Sequence, residues 1–430
     1  MVDIKITKKS KINAEIKVAA DKSITHRAIM FASLSSGECV VENFLNSKDC
    51  YSTIGLFKNL GVKIIEENKT LKIFGCGLQG LKQPKKELDC GNSGTTLRLS
   101  LGIISGNEIK VKLIGDESLS KRPMSRVIGP LSLMGAKISA KENNYLPIEI
   151  EGTKNLKSIT WNSKIASAQV KSAILFAGMN ADGETIYKEP VLSRDHTERM
   201  MEYLKLPIKK KENITSITGK VKEIKPFEIT IPDDPSSASY FIAMTVLLPS
   251  SFMVIKNVCV NSTRIGFINM LIKMGAKISF LNPRILYNEP VADIFVESSK
   301  LKSIKITEDE VPSMIDELPL LAVVATQADG VTEIKGAQEL RVKESDRIKT
   351  ITTELQKLGA KIIEQPDGMI IMGNTKLKTT TTELLDSYND HRIAMSLAVA
   401  GSICDGEIVI KNADCVDISF PEFWNLYKSI

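Results

Sequence analysis

Residues 318–334 read LPLLAVVATQADGVTEI and residues 355–362 read LQKLGAKI, and this pair of stretches decides the fold. The first is an apolar run of helical length, a small-residue turn closed by Gly330, and a β-rich run. The second is the end of an amphipathic helix, a glycine where a helix takes its left-handed terminal residue, and the start of a segment that reads as a hairpin. Both recur. The first returns as IMFASLSSGECVV (29–41), LRLSLGIISGNEIKV (97–111), ILFAGMNADGETI (174–186), FIAMTVLLPSSFMVI (241–255) and IAMSLAVAGSICDGEIVI (393–410). The second returns as FKNLGVKI (57–64), LSLMGAKI (131–138) and MLIKMGAKI (270–278), with MMEYLKLPIKK (200–210) as a degenerate copy. The turn glycines Gly37, Gly106, Gly183, Gly330 and Gly406 lie one or two periods of about 70–77 residues apart, and Pro249-Ser250 stands in at the fourth copy. The pattern predicts an α/β chain of six β-α-β-α-β-β units.

The third and fourth copies meet at PDDPSSAS (232–239), a Pro/Ser/Asp-rich turn. That divides the chain into two similar lobes of three units. The last copy, FPEFWNLYKSI, ends the sequence before its hairpin, while DIKITKKSKINAEIKVA (3–19) is a strand pair without a repeat of its own. The pair is expected to complete the sixth unit. One lobe would then hold residues 1–19 and 232–430 and the other residues 20–231. A two-crossing hinge would join them, with a cleft that closes on a ligand.

Composition limits the function classes. Of 430 residues, 43% are hydrophobic, which excludes intrinsic disorder. The longest apolar runs (Tyr240–Leu248, Leu318–Ala325, Ile393–Ala400) fall short of the ~18 residues a membrane span needs. The start MVDIKITKKS has no apolar core of signal-peptide length, so a cytoplasmic protein with no membrane partner is expected. Seven cysteines, an odd number with no CxxC, and three scattered histidines point to neither a disulfide framework nor a metal site. The net charge of +6 suits acidic small substrates. The basic IKKK (208–211) reads as a solvated hairpin because no aromatics interleave with it, so no nucleic acid is expected.

The polar clusters fall at one phase of the repeat, where helices begin. They include AADKSITHR (19–27), DCGNSGTTLR (89–98), KIASAQVKS (164–172), PSMIDE (312–317), RVKESDR (341–347) and SYNDHR (387–392). Helix capping accounts for their Ser, Thr, Asp and Asn. It does not account for Lys22, Arg27, Arg98, Arg122, Lys171, Arg194, Lys343, Arg347 and Arg392, cations placed where the helix dipole is already positive. Cations at helix starts make sense if anions bind there. Asp316 and Glu344, among these cations, could move protons; the plainer alternatives are that Asp316 caps the next helix and Glu344 pairs with Lys343 or Arg347. The GxGxxG match at Gly75–Gly80 follows a strand but runs into Leu81-Lys-Gln-Pro84 instead of an apolar helix, so it is no dinucleotide site. Cys39 and Cys90 read as small buried hydrophobes, and His26 and His196 as local orienting groups.

GNSGTTLR (91–98), LSKRPM (119–124), SAQVKSA (167–173), SRDHTERM (193–200), RVKESDR (341–347), NDHRIAM (389–395) and SFPEF (419–423) together resemble the 5-enolpyruvylshikimate-3-phosphate (EPSP) synthase family, in its class II form. The match runs from Lys22 to Pro421. The resemblance implies an enolpyruvyl transferase with the inside-out α/β barrel architecture, two lobes of three βαβαββ units. It implies transfer of the enolpyruvyl group of phosphoenolpyruvate to the 5-hydroxyl of shikimate 3-phosphate, with release of phosphate, in aromatic amino-acid biosynthesis. Shikimate 3-phosphate would meet Lys22, Ser23, Arg27, Ser167, Ala168, Gln169, Arg194, Asp316 and Lys343. Phosphoenolpyruvate would meet Lys22, Gly94, Arg122, Gln169, Arg347 and Arg392. Asp316 matches the base for the 5-hydroxyl, Glu344 the residue that shuttles a proton at the methylene carbon, and Lys22 lies between both substrates. Addition and elimination call for proton transfer and charge stabilisation, with no cofactor and no metal. A monomer is expected.

The chain departs from the family pattern at Ile418 and Asp417, where some members carry a Lys, and at Glu339, where some carry an Asn. Two alternatives are a UDP-N-acetylglucosamine enolpyruvyl transferase and a non-catalytic repeat protein of the same unit. The first typically has Lys-Asn in place of Lys22-Ser23, and a Cys-containing loop in place of DESLSKRP. The second would not need Asp316, Glu344, Arg347 and Arg392 at its helix starts.

Overall fold

The computed structural model describes residues 2–430. They form two compact units, one of residues 20–231 with Tyr287–Glu289, the other of residues 2–19, Pro232–Leu286 and Pro290–Ile430.

The first unit carries helices α1 (Lys22–Ser33), α2 (Lys48–Asn59), α3 (Gly94–Ser105), α4 (Glu117–Ser120), α5 (Ser125–Leu133), α6 (Ala168–Gly178) and α7 (His196–Tyr203). Its three four-stranded sheets share one order. In the second of them Leu88–Asp89 runs parallel to Lys110–Ile114, which pairs antiparallel with Tyr145–Glu151, whose hairpin mate is Lys137–Lys141. Helices α1, α3 and α6 pack on one another inside the sheets and are buried along nearly their whole length. This is why their sequences show no polar face. The α3–α6 approach depends on Gly102, since a Cβ there would stand 2.1 Å from the Ala173 carbonyl oxygen.

The second unit carries α8 (Pro235–Leu247), α9 (Gly266–Lys273), α10 (Leu318–Gln327), α11 (Arg347–Lys357), α12 (His391–Ile403) and α13 (Phe423–Ser429). Here α8, α10 and α12 pack together inside two four-stranded sheets and one three-stranded sheet. The six sheets therefore stay separate outside central helices, and none closes into a barrel among the described residues.

The terminal glycines of the second repeat pattern are left-handed as predicted, with φ of 92° at Gly61, 114° at Gly135, 103° at Gly275 and 84° at Gly359. In the degenerate copy the same conformation falls on Lys205, with φ of 58°. The GxGxxG stretch is a turn without a following helix. Gly75 is needed because a Cβ would stand 2.4 Å from the Ser35 carbonyl oxygen at the end of α1.

One expectation needs correction. Residues 3–19 do not act as a strand pair for the sixth copy. Ile4–Thr7 does complete that copy's sheet, antiparallel to Glu407–Lys411. Asn13–Ile16 instead runs parallel to Phe252–Cys259 in the fourth copy. Reciprocally, Glu228–Thr230, just before α8, runs parallel to Glu38–Glu42 of the first copy. The first and fourth copies have thus exchanged edge strands. A short parallel edge strand is held chiefly by backbone hydrogen bonds, so its side chains do not announce its partner.

Candidate active site

In the first unit the helix starts are joined by side chains. Asp21, Ser93 and Ser167 cap α1, α3 and α6, so the capping explanation holds for those residues. The cations beside them make a second set of contacts. Lys22 reaches Asp49 Oδ2 at 3.1 Å. The buried Arg27 donates from Nε to Thr197 Oγ1 at 2.6 Å, from Nη2 to Ser172 Oγ at 2.9 Å and from Nη1 to the Ser23 carbonyl at 3.0 Å. Ser172 Oγ in turn donates to the Ala168 carbonyl at 2.6 Å.

Gly94 opens α3, and a Cβ there would meet Arg98 Nη1 at 2.7 Å and Arg122 Nη1 at 3.6 Å. Arg98 Nη1 donates to Gln169 Oε1 at 2.7 Å, and Gln169 Nε2 donates to Thr95 Oγ1 at 3.0 Å. Arg122 is held by Asn92 Oδ1 at 2.7 Å and Ser118 Oγ at 3.1 Å. Arg194, half-buried, precedes α7. The unit thus gathers Lys22, Ser23, Arg27, Gly94, Arg122, Ser167, Ala168, Gln169 and Arg194 around its helix starts.

Asp316, Lys343, Glu344, Arg347 and Arg392 belong to the second unit, at the starts of α10, α11 and α12. Arg347 is nearly fully buried and touches three carboxylates. Nε donates to Asp390 Oδ2 at 2.8 Å, Nη1 to Asp316 Oδ1 at 3.2 Å and Nη2 to Glu344 Oε2 at 2.6 Å. Burial works against the charged guanidinium, but Asp390, Glu344 and Asp316 outweigh it and hold the pKa above the usual arginine value. Asp390 also caps α12 through the Arg392 amide at 2.9 Å and accepts from Ser345 Oγ at 3.0 Å. Arg392 faces Glu317 Oε1 at 3.4 Å. The plainer alternative for Glu344, pairing with Arg347, is realised here. That for Asp316 is not, because Glu317 occupies the cap position of α10.

Sequence reasoning missed Asp49, Ser172 and Thr197, which hold the cations in place, and the pairing of Arg98 with Gln169. It also missed Asp390, whose only sequence signal was that of a cap. His26 and His196 act locally, on Thr53 Oγ1 and Glu289 Oε1, both at 2.7 Å. Cys39 and Cys90 are fully buried, and burial pushes both thiols up. Among the described residues no group of three His, Cys, Asp or Glu side chains could hold a metal ion, and no helix is long and apolar enough to cross a membrane.

Copies of a βαβαββ unit, three to each compact unit, with arginines, lysines and carboxylates at their helix starts, are the architecture of the enolpyruvyl-transferase class. Comparison with known proteins narrows this. The sequence model described as EPSP synthase (3-phosphoshikimate 1-carboxyvinyltransferase) matches residues 6–426, and the chain belongs to that family. A relative from Endomicrobium trichonymphae named 3-phosphoshikimate 1-carboxyvinyltransferase is 48% identical over 431 residues, covering 100% of both chains. One of the same name from Thermodesulfovibrio yellowstonii is 50% identical, covering 99% of each. The solved EPSP synthase of Acinetobacter baumannii superposes with a TM-score of 0.87 at 39% identity, covering 99% of this chain and 98% of that one.

Proposed function

We propose that this chain transfers the enolpyruvyl group of phosphoenolpyruvate to the 5-hydroxyl of shikimate 3-phosphate and releases phosphate, a step of aromatic amino-acid biosynthesis. Lys22, Ser23, Arg27, Ser167, Ala168, Gln169, Arg194 and Lys343 bind shikimate 3-phosphate. Lys22, Gly94, Arg122, Gln169, Arg347 and Arg392 surround phosphoenolpyruvate. Guanidinium groups suit its carboxylate and phosphate because they donate in pairs along one plane.

In the addition half, the 5-hydroxyl oxygen bonds to the enol carbon while its proton passes to Asp316. A proton from Glu344 goes to the methylene carbon, giving a tetrahedral ketal. In the elimination half, Glu344 takes a proton back from the new methyl group, the C–O bond to phosphate breaks, and the proton held on Asp316 passes to the departing phosphate, which restores the base. Cations at the helix starts stabilise the charge that develops on the leaving phosphate.

The observation that carries this reading is the contact set of Arg347, in which a substrate-binding guanidinium touches Asp316 and Glu344, the two proton-transfer carboxylates. Asp390 grips Arg347 at Nε and Nη2 and serves as its fixed anchor. An incoming anion would displace Asp316 and Glu344 from the guanidinium, freeing Asp316 as the base and leaving Glu344, no longer held ionised by the cation, to take up the proton it gives. The protein works as a cytoplasmic monomer.

The deciding experiment is phosphate release from phosphoenolpyruvate with shikimate 3-phosphate or with UDP-N-acetylglucosamine. Release with shikimate 3-phosphate alone is expected. Release only with the nucleotide sugar, or with neither, overturns the assignment.

A further inference from the structure

Lys171 lies on α6, two residues past Gln169, yet it faces away from solvent entirely, at 0% side-chain exposure. Its ammonium donates to Glu189 Oε1 at 2.6 Å and to the Ser193 carbonyl at 3.3 Å, and it is ion-paired with Glu198 Oε1 at 2.7 Å. Glu189 Oε1 also accepts from the Ser193 amide at 3.1 Å. The backbone of Ser193 is therefore gripped at both its N–H and its C=O by a single buried ion pair. Arg194 is the next residue. Glu198 is the neighbour of Thr197, the residue that Arg27 Nε and Ser172 Oγ share at 2.6 Å and 2.7 Å.

Stability does not explain this cluster. It buries one cation against two carboxylates, and among the described residues Glu189 Oε2 and Glu198 Oε2 have no hydrogen-bond partner. Burial pushes the Glu198 carboxyl up despite Lys171. Buried ion pairs with unsatisfied atoms are often no better than well-packed apolar residues of the same volume; what they can supply is a unique geometry. The geometry specified here is that of the 189–194 loop and the first turn of α7. That turn has no side-chain cap of its own.

We propose that Lys171, with Glu189 and Glu198, is a positioning residue that sets Arg194 and the Thr197–Arg27 contact for shikimate 3-phosphate. It touches no substrate. Its effect falls chiefly on shikimate 3-phosphate, since on the phosphoenolpyruvate side Gln169 and Arg122 are held by Arg98, Asn92 and Ser118, and Lys22 and Arg347 by Asp49 and Asp390, not by this cluster. The inference rests on the proposed function, and activity of the unaltered protein tests that separately.

Lys171→Met and Glu189→Gln should be compared with the parent in steady-state phosphate release, each substrate varied at saturating levels of the other. Folding is followed by circular dichroism and melting temperature. The expected result is a KM for shikimate 3-phosphate raised at least about tenfold in Lys171→Met and about fivefold in Glu189→Gln. The KM for phosphoenolpyruvate and kcat stay within about threefold. A lower melting temperature with both KM values unchanged overturns the proposal, and so does an equal loss for both substrates. If Lys171→Met yields no folded protein, Glu189→Gln, which keeps the shape of the site, decides by the same readings. An inactive parent protein would refute the functional assignment instead.

Discussion

Gly94→Ala separates the two substrates with one methyl group. Gly94 begins α3 and is not left-handed, so its backbone accepts alanine without strain. The cost falls on a neighbour. The new Cβ would stand 2.7 Å from Arg98 Nη1, nearer than real Cβ contacts come, while the 3.6 Å to Arg122 Nη1 is ordinary contact. Arg98 must move by several tenths of an ångström, and Nη1 is the atom that donates to Gln169 Oε1 at 2.7 Å. Losing a charge-assisted hydrogen bond costs about 1.5–3 kcal/mol, which corresponds to roughly 10- to 100-fold in affinity. The KM for phosphoenolpyruvate should rise by that factor, because Gly94 and Gln169 both line its proposed site. The KM for shikimate 3-phosphate, which Gln169 also serves, should rise less than that for phosphoenolpyruvate, and the melting temperature should fall by a few degrees at most with the lost hydrogen bond. The assay is phosphate release with phosphoenolpyruvate varied at saturating shikimate 3-phosphate. A folded variant whose KM for phosphoenolpyruvate stays within about twofold of the parent would refute this chain of contacts.

Asp316→Ala should lower kcat by about 10²–10⁴ with little change in either KM; near-normal kcat would remove Asp316 as the base. Lys205→Gly should stabilise the protein by about 1 kcal/mol in urea unfolding, because a left-handed lysine is strained where glycine is not; no gain would show that the strain is relieved elsewhere. His26 is held well below its usual pKa by burial first, then by the charges of Lys22 and Arg27. The unfolded imidazole takes a proton as pH falls through about 6.5 while the folded one stays neutral. Stability is therefore full above that pH and declines below it, by up to about 1.4 kcal/mol per pH unit. His26→Gln should flatten the fall in denaturation midpoint between pH 7 and pH 5; an unchanged slope would assign the effect to other groups.

The repeat is legible because each copy states its core helix as an unbroken apolar run and ends its second helix in a glycine that the backbone geometry demands. Even the failure at MMEYLKLPIKK is informative, since Lys205 takes the same φ without the residue that favours it. The cations of the site are legible for a physical reason as well: charge at a positive helix pole contradicts local stability and so signals function. Their partners are not. Asp390 and Ser93 both look like caps, and only the folding of α11 against α12 brings Asp390 onto Arg347. Thr197 and Ser172 are ordinary helix residues until α6 and α7 are docked. The strand exchange leaves no sequence trace, because Asn13–Ile16 and Glu228–Thr230 pair through backbone groups that every residue carries.

That exchange has a consequence for synthesis. On a ribosome Asn13–Ile16 emerges before residues 20–231, but the strand it pairs with, Phe252–Cys259, is made only after them. Ile4–Thr7 waits longer still, for Glu407–Lys411. The leading segment must therefore travel unpaired while the first unit assembles, an exposed strand edge open to the wrong partner. The charges of KKSK (8–11) between its two strands keep this waiting segment polar. In a chain released after residue 231 the first unit can form its three sheets, while the second lacks the strands that later residues supply.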